Sequence, residues 1–178
     1  MKRIILEYQQ VDLILTRIAH QLIENHGDFK NTALLALQPR GILFGKSLCA
    51  KLKTLFDIDV TYGELDTTFH RDDFRRTDKP LVPNAVNIDF QIEDKRIILI
   101  DDVLYTGRSI RAALDTINDY GRPSSIELVT LINRKYNREV PIQPDYVGEH
   151  IDSRIDDYVK VEWDENNCKV WIITDKLD

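Results

Sequence analysis

The sequence predicts an α/β fold built on a doubly wound, mostly parallel sheet. Three observations point that way. Short apolar runs with no polar face recur along the chain and read as strands buried on both sides. Two of these runs pass through a glycine-containing turn into a stretch with helical apolar spacing. No internal repeat, low-complexity segment or linker divides the 178 residues, so a single domain with a full-sized core is expected over residues 1–178.

In chain order, residues 10–26 carry Val11, Ile14, Leu15, Ile18, Ala19 and Leu22, the i, i+3, i+4 stripe of an amphipathic helix. His20 falls in this helix and by itself reads as a solvated or core-edge residue. Residues 31–37 form a buried strand, followed by the turn Gln38-Pro39-Arg40-Gly41 and a helix over 42–56. Residues 59–69 alternate through Val60, Tyr62 and Glu64 and read as a strand leading out of the sheet. The charged stretch 70–80 has no apolar period and reads as a solvated loop, with a short strand at 86–92 returning to the sheet. Ile97-Ile98-Leu99-Ile100 is the central strand, and Ile110, Ala113, Leu114 and Ile117 mark a helix stopped by Gly121-Arg122-Pro123. Residues 126–132 form another buried strand, and residues 158–163 and 169–173 pair as a hairpin through Asp164-Glu165-Asn166-Asn167.

Composition narrows the function classes. A net charge of −6 argues against broad, non-specific nucleic-acid binding. No apolar run approaches the roughly 20 residues needed to span a membrane. Met1-Lys2-Arg3-Ile4-Ile5-Leu6-Glu7 lacks the pattern of a secretion signal, so a cytoplasmic location is expected and no membrane partner. Cys49 and Cys168 lie far apart on different predicted elements, so a disulfide or metal pair is not expected, and Cys49, in an apolar helix, reads as core packing.

The chemistry concentrates after the central strand, in Asp101-Asp102-Val103-Leu104-Tyr105-Thr106-Gly107-Arg108-Ser109. The two acids are expected just past the strand end and the helix just past Ser109. In open α/β sheets ligands bind beyond the carboxyl ends of the strands, where a helix N-terminus offers unpaired N–H groups to an anion. Gly107 lets amides approach a phosphate, and Thr106 and Ser109 add hydroxyls. Asp101 and Asp102 cannot bind that phosphate; sugar hydroxyls or a hydrated magnesium ion suit them. The ligand so described is a ribose phosphate. A plain strand end with a helix cap needs one Ser, Thr or Asp, and this turn holds two acids and three further polar groups. The Walker A loop and the Gly-x-Gly-x-x-Gly fingerprint are both missing.

These residues resemble the phosphoribosyl pyrophosphate motif of type I phosphoribosyltransferases. With Tyr120-Gly121-Arg122-Pro123-Ser124-Ser125-Ile126 downstream, the chain is similar more narrowly to the pyrimidine operon attenuation regulators that are also uracil phosphoribosyltransferases. The similarity covers nearly the whole chain. It implies the type I phosphoribosyltransferase sheet with a small hood and a C-terminal hairpin. It further implies transfer of a phosphoribosyl group from phosphoribosyl pyrophosphate to a nucleobase, uracil first, as pyrimidine salvage. Mg2+ is the implied cofactor, held by the substrate and reached from the protein through water at Asp101.

By the same resemblance Asp101, Asp102 and Arg71 are the catalytic residues, Arg71 reaching the diphosphate from a hood that starts at Glu64. Tyr105, Thr106, Gly107, Arg108 and Ser109 hold the 5-phosphate. Gln38, Pro39, Arg40 and Gly41 form the pyrophosphate loop, which in relatives commonly reads Lys-Thr-Arg-Gly; the lost lysine removes one charge. Relatives often have a cis peptide in this loop, and Pro39 makes a cis Gln38-Pro39 bond the expectation, with an ordinary proline turn as the alternative. Asn133, Arg134 and Arg138 are the implied base pocket; a segment one residue longer than in relatives leaves purine transfer open. Thr16 and His20 match positions that contact messenger RNA in the attenuators, which makes an RNA-binding sensor of uridine nucleotides the alternative function. Gln143 and Glu149 replace basic residues expected to meet RNA phosphates. A homodimer or an assembly of dimers is also implied.

Overall fold

The computed structural model describes residues 2–67, 87–164 and 167–174. The elements run β1 (Lys2–Leu6), α1 (Tyr8–His26), β2 (Thr32–Leu37), α2 (Gly41–Phe56), β3 (Thr61–Leu65), β4 (Arg96–Leu104), α3 (Arg108–Asn118), β5 (Ser125–Arg134), β6 (Tyr146–Ile151), β7 (Asp157–Asp164) and β8 (Asn167–Thr174). β2 to β6 make a five-stranded sheet, all parallel, in the order β3-β2-β4-β5-β6. β1, β8 and β7 make a second, antiparallel sheet of three strands.

The parallel sheet is covered on both faces, and the alternation of side chains along β4 sorts the core in two. Ile98 and Ile100 pack with Ile18 and Leu22 of α1, Phe44 and Leu48 of α2, and Val170 of β8. Ile97 and Leu99 face the other way, onto Ile110, Ala113 and Ile117 of α3. All six residues of β2 are buried, as expected for a strand covered on both sides. The six apolar positions expected to form the stripe of α1 are all buried. Cys168 is buried and Cys49 half-buried in the larger core, and both are free thiols.

α1 lies close against β6. Arg17 donates to the carbonyl oxygens of Val147, at 3.1 Å, and Gly148, at 2.6 Å. Gly148 permits the approach: a methyl group there would land on the carbonyl oxygen of Leu131 and sit 2.9 Å from Cγ2 of Ile14.

Four elements differ from their sequence expectation. β4 continues through the acidic pair to Leu104, with Asp101 opposite Thr130 and Leu104 opposite Asn133, so the carboxylates belong to the strand. Pairing with the long strand β5 carries β4 past its apolar run. β3 stays inside the sheet as an edge strand, in register with β2 from Ala33–Thr61 to Leu37–Leu65. The described part of the returning segment makes one antiparallel bridge, Glu64 to Asn87, and then leaves the edge as Ile88, Phe90 and Ile92 turn into the second core. β1 had no sequence signal; it pairs with β8 from the far end of the chain, which extends the expected hairpin to three strands.

Gly148→Ala should lower the unfolding free energy by about 1–3 kcal/mol, because the added methyl meets a backbone that cannot yield locally. A urea titration with an unchanged m-value and an earlier midpoint is the expected result.

Candidate active site

Asp101 and Asp102 are neighbours in a strand, so their side chains leave opposite faces of the sheet. Asp101 opens into a cavity of about 490 Å3 walled by Tyr105, Thr106, Gly107 and Ser109 on one side and by Ile155 and Asp157 on the other. Asp102 opens into a smaller one of about 300 Å3 with Pro39, Leu43 and Trp163. Arg40, Tyr158 and Val159 line both. The acid pair therefore reaches two adjoining spaces that share a wall.

Both carboxyl groups are buried, and burial pushes their acid strength down. Asp101 is raised to about 8, first by loss of water and then by the neighbouring Asp102. Asp102 is raised as well, again chiefly by burial, with Arg40 opposing the shift. The Asp102 N–H donates to Oδ1 of Asp101 at 3.0 Å, which fixes the first carboxyl in place. Among the described residues no group of three or more His, Cys, Asp or Glu side chains is placed to hold a metal, and a single hard oxygen donor such as Asp101 suits magnesium, which retains several waters and takes few protein ligands.

Two helix N-termini flank the pair. α2 starts at Gly41, where a methyl group would strike the carbonyl oxygen of Ile100, so only glycine lets this helix end approach β4 so closely. The Gln38-Pro39 peptide before it is cis. α3 starts at Arg108 after Gly107, whose φ of 88° lies in the left-handed region glycine favours. First-turn N–H groups of each helix lack intrahelical partners and carry the positive end of its dipole.

The carbonyls of the turn before α3 are all engaged on the outer side. Tyr105 accepts from Nη1 of Arg138, Thr106 from the N–H groups of Glu139 (2.9 Å) and Val140 (3.1 Å), and Gly107 from Arg111 N–H (3.0 Å). Arg108 pairs with Glu139 at 2.5 Å. Arg138 also donates to Oδ1 of Asn133 at 2.6 Å, and Asn133 Nδ2 lies 3.1 Å from Nδ1 of His150. Asn133 and Arg138 thus stand behind the turn, supporting it, while Arg134 alone of the three reaches the cavity wall.

Of the other expected site residues, Asp101, Tyr105, Thr106, Gly107, Ser109 and Arg40 meet around the larger cavity, and Asp102 and Pro39 line the smaller. Gln38 and Gly41 sit behind Arg40, where Gln38 N–H donates to the carbonyl of Leu65. Arg71 and most of the expected hood lie outside the described residues. Thr16 and His20 are on α1, away from this end of the sheet: Thr16 Oγ1 donates to Asp12 C=O at 2.9 Å, and the His20 ring meets Phe56 edge-on at 4.9 Å. Sequence reasoning missed the wall at Ile155, Asp157, Tyr158 and Val159. Its one visible signal was an isoleucine beside two aspartates, and Ile155 is 65% exposed.

The comparisons with known proteins bear on the family and the fold. Residues 3–166 match the phosphoribosyl transferase domain. Bifunctional protein PyrR of Bacillus subtilis is 42% identical over 167 residues, covering 92% of this chain and 91% of its own. The protein of the same name from Acetivibrio thermocellus is 43% identical over 157 residues, covering 86% and 85%. Among solved structures, a hypoxanthine phosphoribosyltransferase of Staphylococcus aureus superposes with a TM-score of 0.68 at 18% identity, over 86% of this chain and 80% of that one. The last comparison speaks for the fold, and the two before it for the closer kinship. The chain belongs to the phosphoribosyl transferase family, in the branch of the bifunctional PyrR proteins.

Proposed function

We propose that this phosphoribosyltransferase moves a ribosyl 5-phosphate from phosphoribosyl pyrophosphate to a ring nitrogen of uracil, releasing pyrophosphate. The observation that carries the reading is the pair of buried carboxylates on opposite faces of β4, each beside a helix N-terminus. The α3 end suits the 5-phosphate through the amides of residues 106–109. The α2 end, with Arg40, suits the diphosphate, and Asp101 and Asp102 then face the ribose hydroxyls between them. Ile155 offers an apolar surface to a flat base, and the peptide groups of residues 155–157 offer donors and acceptors for its edge.

As the glycosidic bond to the diphosphate breaks, positive charge develops on the sugar and negative charge on the leaving group. Two carboxylates under the ring stabilise the first, and Arg40 with the α2 terminus the second. Arg71 joins Arg40 in this role by family resemblance. Asp101 would hold magnesium, which when bound would supply further neutralisation of the leaving group. Anchoring the 5-phosphate at a distance positions the reacting carbon without taking part in bond making. No proton need pass to either aspartate.

The second reading is regulation of pyrimidine genes through leader RNA. The relatives at 42% and 43% identity carry the name bifunctional, and Thr16 and His20 stand one turn apart on α1. Exposed Glu149 on β6 counts against a strong phosphate interface on that side. A retarded leader RNA band that weakens with His20→Ala is the expected sign of this activity in a gel-shift titration with and without uridine nucleotides. No retardation at any protein concentration removes the reading.

A pyrophosphate-release assay across a panel of nucleobases, with magnesium present, should give uracil the highest kcat/KM. A purine ranked first would replace uracil, and no release with any base would remove the enzyme reading. In the same assay Asp102→Asn should lower kcat about 100-fold or more with no loss in the urea midpoint, since an amide spares this buried position the cost of ionising. Full activity of that variant would sink the role given to the acid pair.

The raised carboxyl range has its own signature. Between about pH 4, near the ordinary value of 3.8, and about pH 8, the ligand-free folded protein holds protons that the unfolded chain has lost. Its stability should therefore fall as pH rises through that window. Asp101→Asn should flatten the slope and raise the unfolding free energy at pH 8 by about 2 kcal/mol, as read by urea titrations at several pH values.

A further inference from the structure

Tyr105 opens the turn that leads into α3, yet its side chain reaches across the cavity. The Arg134 guanidinium lies over its ring, 3.6 Å from the centroid. The same guanidinium donates from Nε to Ser153 Oγ at 2.7 Å and from Nη2 to the carbonyl of Arg154 at 2.7 Å. The Tyr105 hydroxyl leans toward the carbonyl of Ile155 at 3.4 Å. Arg134 is 4% exposed and stands at the last position of β5, so its planar fork is held from behind by the sheet. One buried group thus joins Tyr105 to two consecutive residues of the opposite wall, Ser153 and Arg154, while the Tyr105 hydroxyl itself reaches the third, Ile155.

We propose that Arg134, through its stack on Tyr105, is a positioning residue that couples the phosphate end of the cavity to the nucleobase end. This rests on the reading above, in which the 5-phosphate lies at the amides of residues 106–109 and the base against Ile155 and the peptide groups of residues 155–157. An anion that settles the turn fixes the Tyr105 ring. The ring fixes the plane of the guanidinium, and the guanidinium fixes Ser153 and the Arg154 carbonyl, from which the base wall at Ile155 begins. Each ligand then meets a wall that the other has already ordered. Lysine cannot replace arginine here, because an ammonium neither stacks flat on a ring nor donates in one plane to both Ser153 and Arg154.

The test measures the coupling itself. The affinity of the base selected by the pyrophosphate-release panel is titrated calorimetrically with and without saturating ribose 5-phosphate, and the reverse titration must return the same factor. In the native protein the phosphate should tighten base binding at least about fivefold. Arg134→Met and Arg134→Lys should bring that factor below about twofold, and Tyr105→Phe, which keeps the ring, should preserve it. Damage that is merely structural lowers both affinities and leaves their ratio alone. Should Arg134→Met fail to fold by circular dichroism, Tyr105→Leu removes the other half of the stack and decides the matter, with the same loss expected. A native factor of one, a native-sized factor in Arg134→Lys, or in both Arg134→Met and Tyr105→Leu, overturns the proposal while leaving the enzyme reading intact. Failure of the native protein to bind both ligands overturns the enzyme reading and takes the coupling with it.

Discussion

The structure depends on the alternation of side chains along one strand. β4 is buried on both faces for most of its length, and then places two carboxylates where the next two apolar residues would stand. Because consecutive residues point to opposite faces, Asp101 meets the turn into α3 and Asp102 meets Arg40 and the start of α2. A pair of acids in a loop would have lacked this division. Burial holds both groups reluctant to ionise, with the Arg40 guanidinium opposing the shift at each.

Much of this was legible in the residues. The apolar stripe of α1, the runs at β2 and β5 and the spacing of α3 are local patterns, and local patterns survive folding when one face must be buried. The Asp-Asp run and Thr106-Gly107 were legible for the same reason: the chemistry sits in consecutive positions. What stayed hidden is non-local. β1 is a strand only because β8 lies beside it, and nothing in five residues announces a partner some 170 positions away. The wall at residues 155–159 belongs to the site because the connection from β6 into β7 folds over the cavity mouth, a matter of packing rather than composition. The extent of β4 was misjudged because an acidic pair ordinarily ends a buried strand, and here the ladder with β5 continues through it.

Arginines show a similar contrast. Arg134 and Arg138 stand four residues apart and were grouped by resemblance, but the structure gives them different tasks. One faces the cavity flat against an aromatic ring, and the other supports the outside of a turn. Position relative to the end of β5 decides between them, since Arg134 is still held by the sheet and Arg138 has entered the following loop.

The loop behind the turn at Tyr105, Thr106 and Gly107 has an electrostatic consequence. Three successive carbonyl oxygens, each a partial negative charge, are drawn away from the cavity by Arg138, by the amides of Glu139 and Val140, and by Arg111. For the 5-phosphate proposed to bind there, no carbonyl would need to be pushed aside and little reorganisation energy would be spent on docking. The polarity of the cradle is set before any guest arrives, by groups that never touch it.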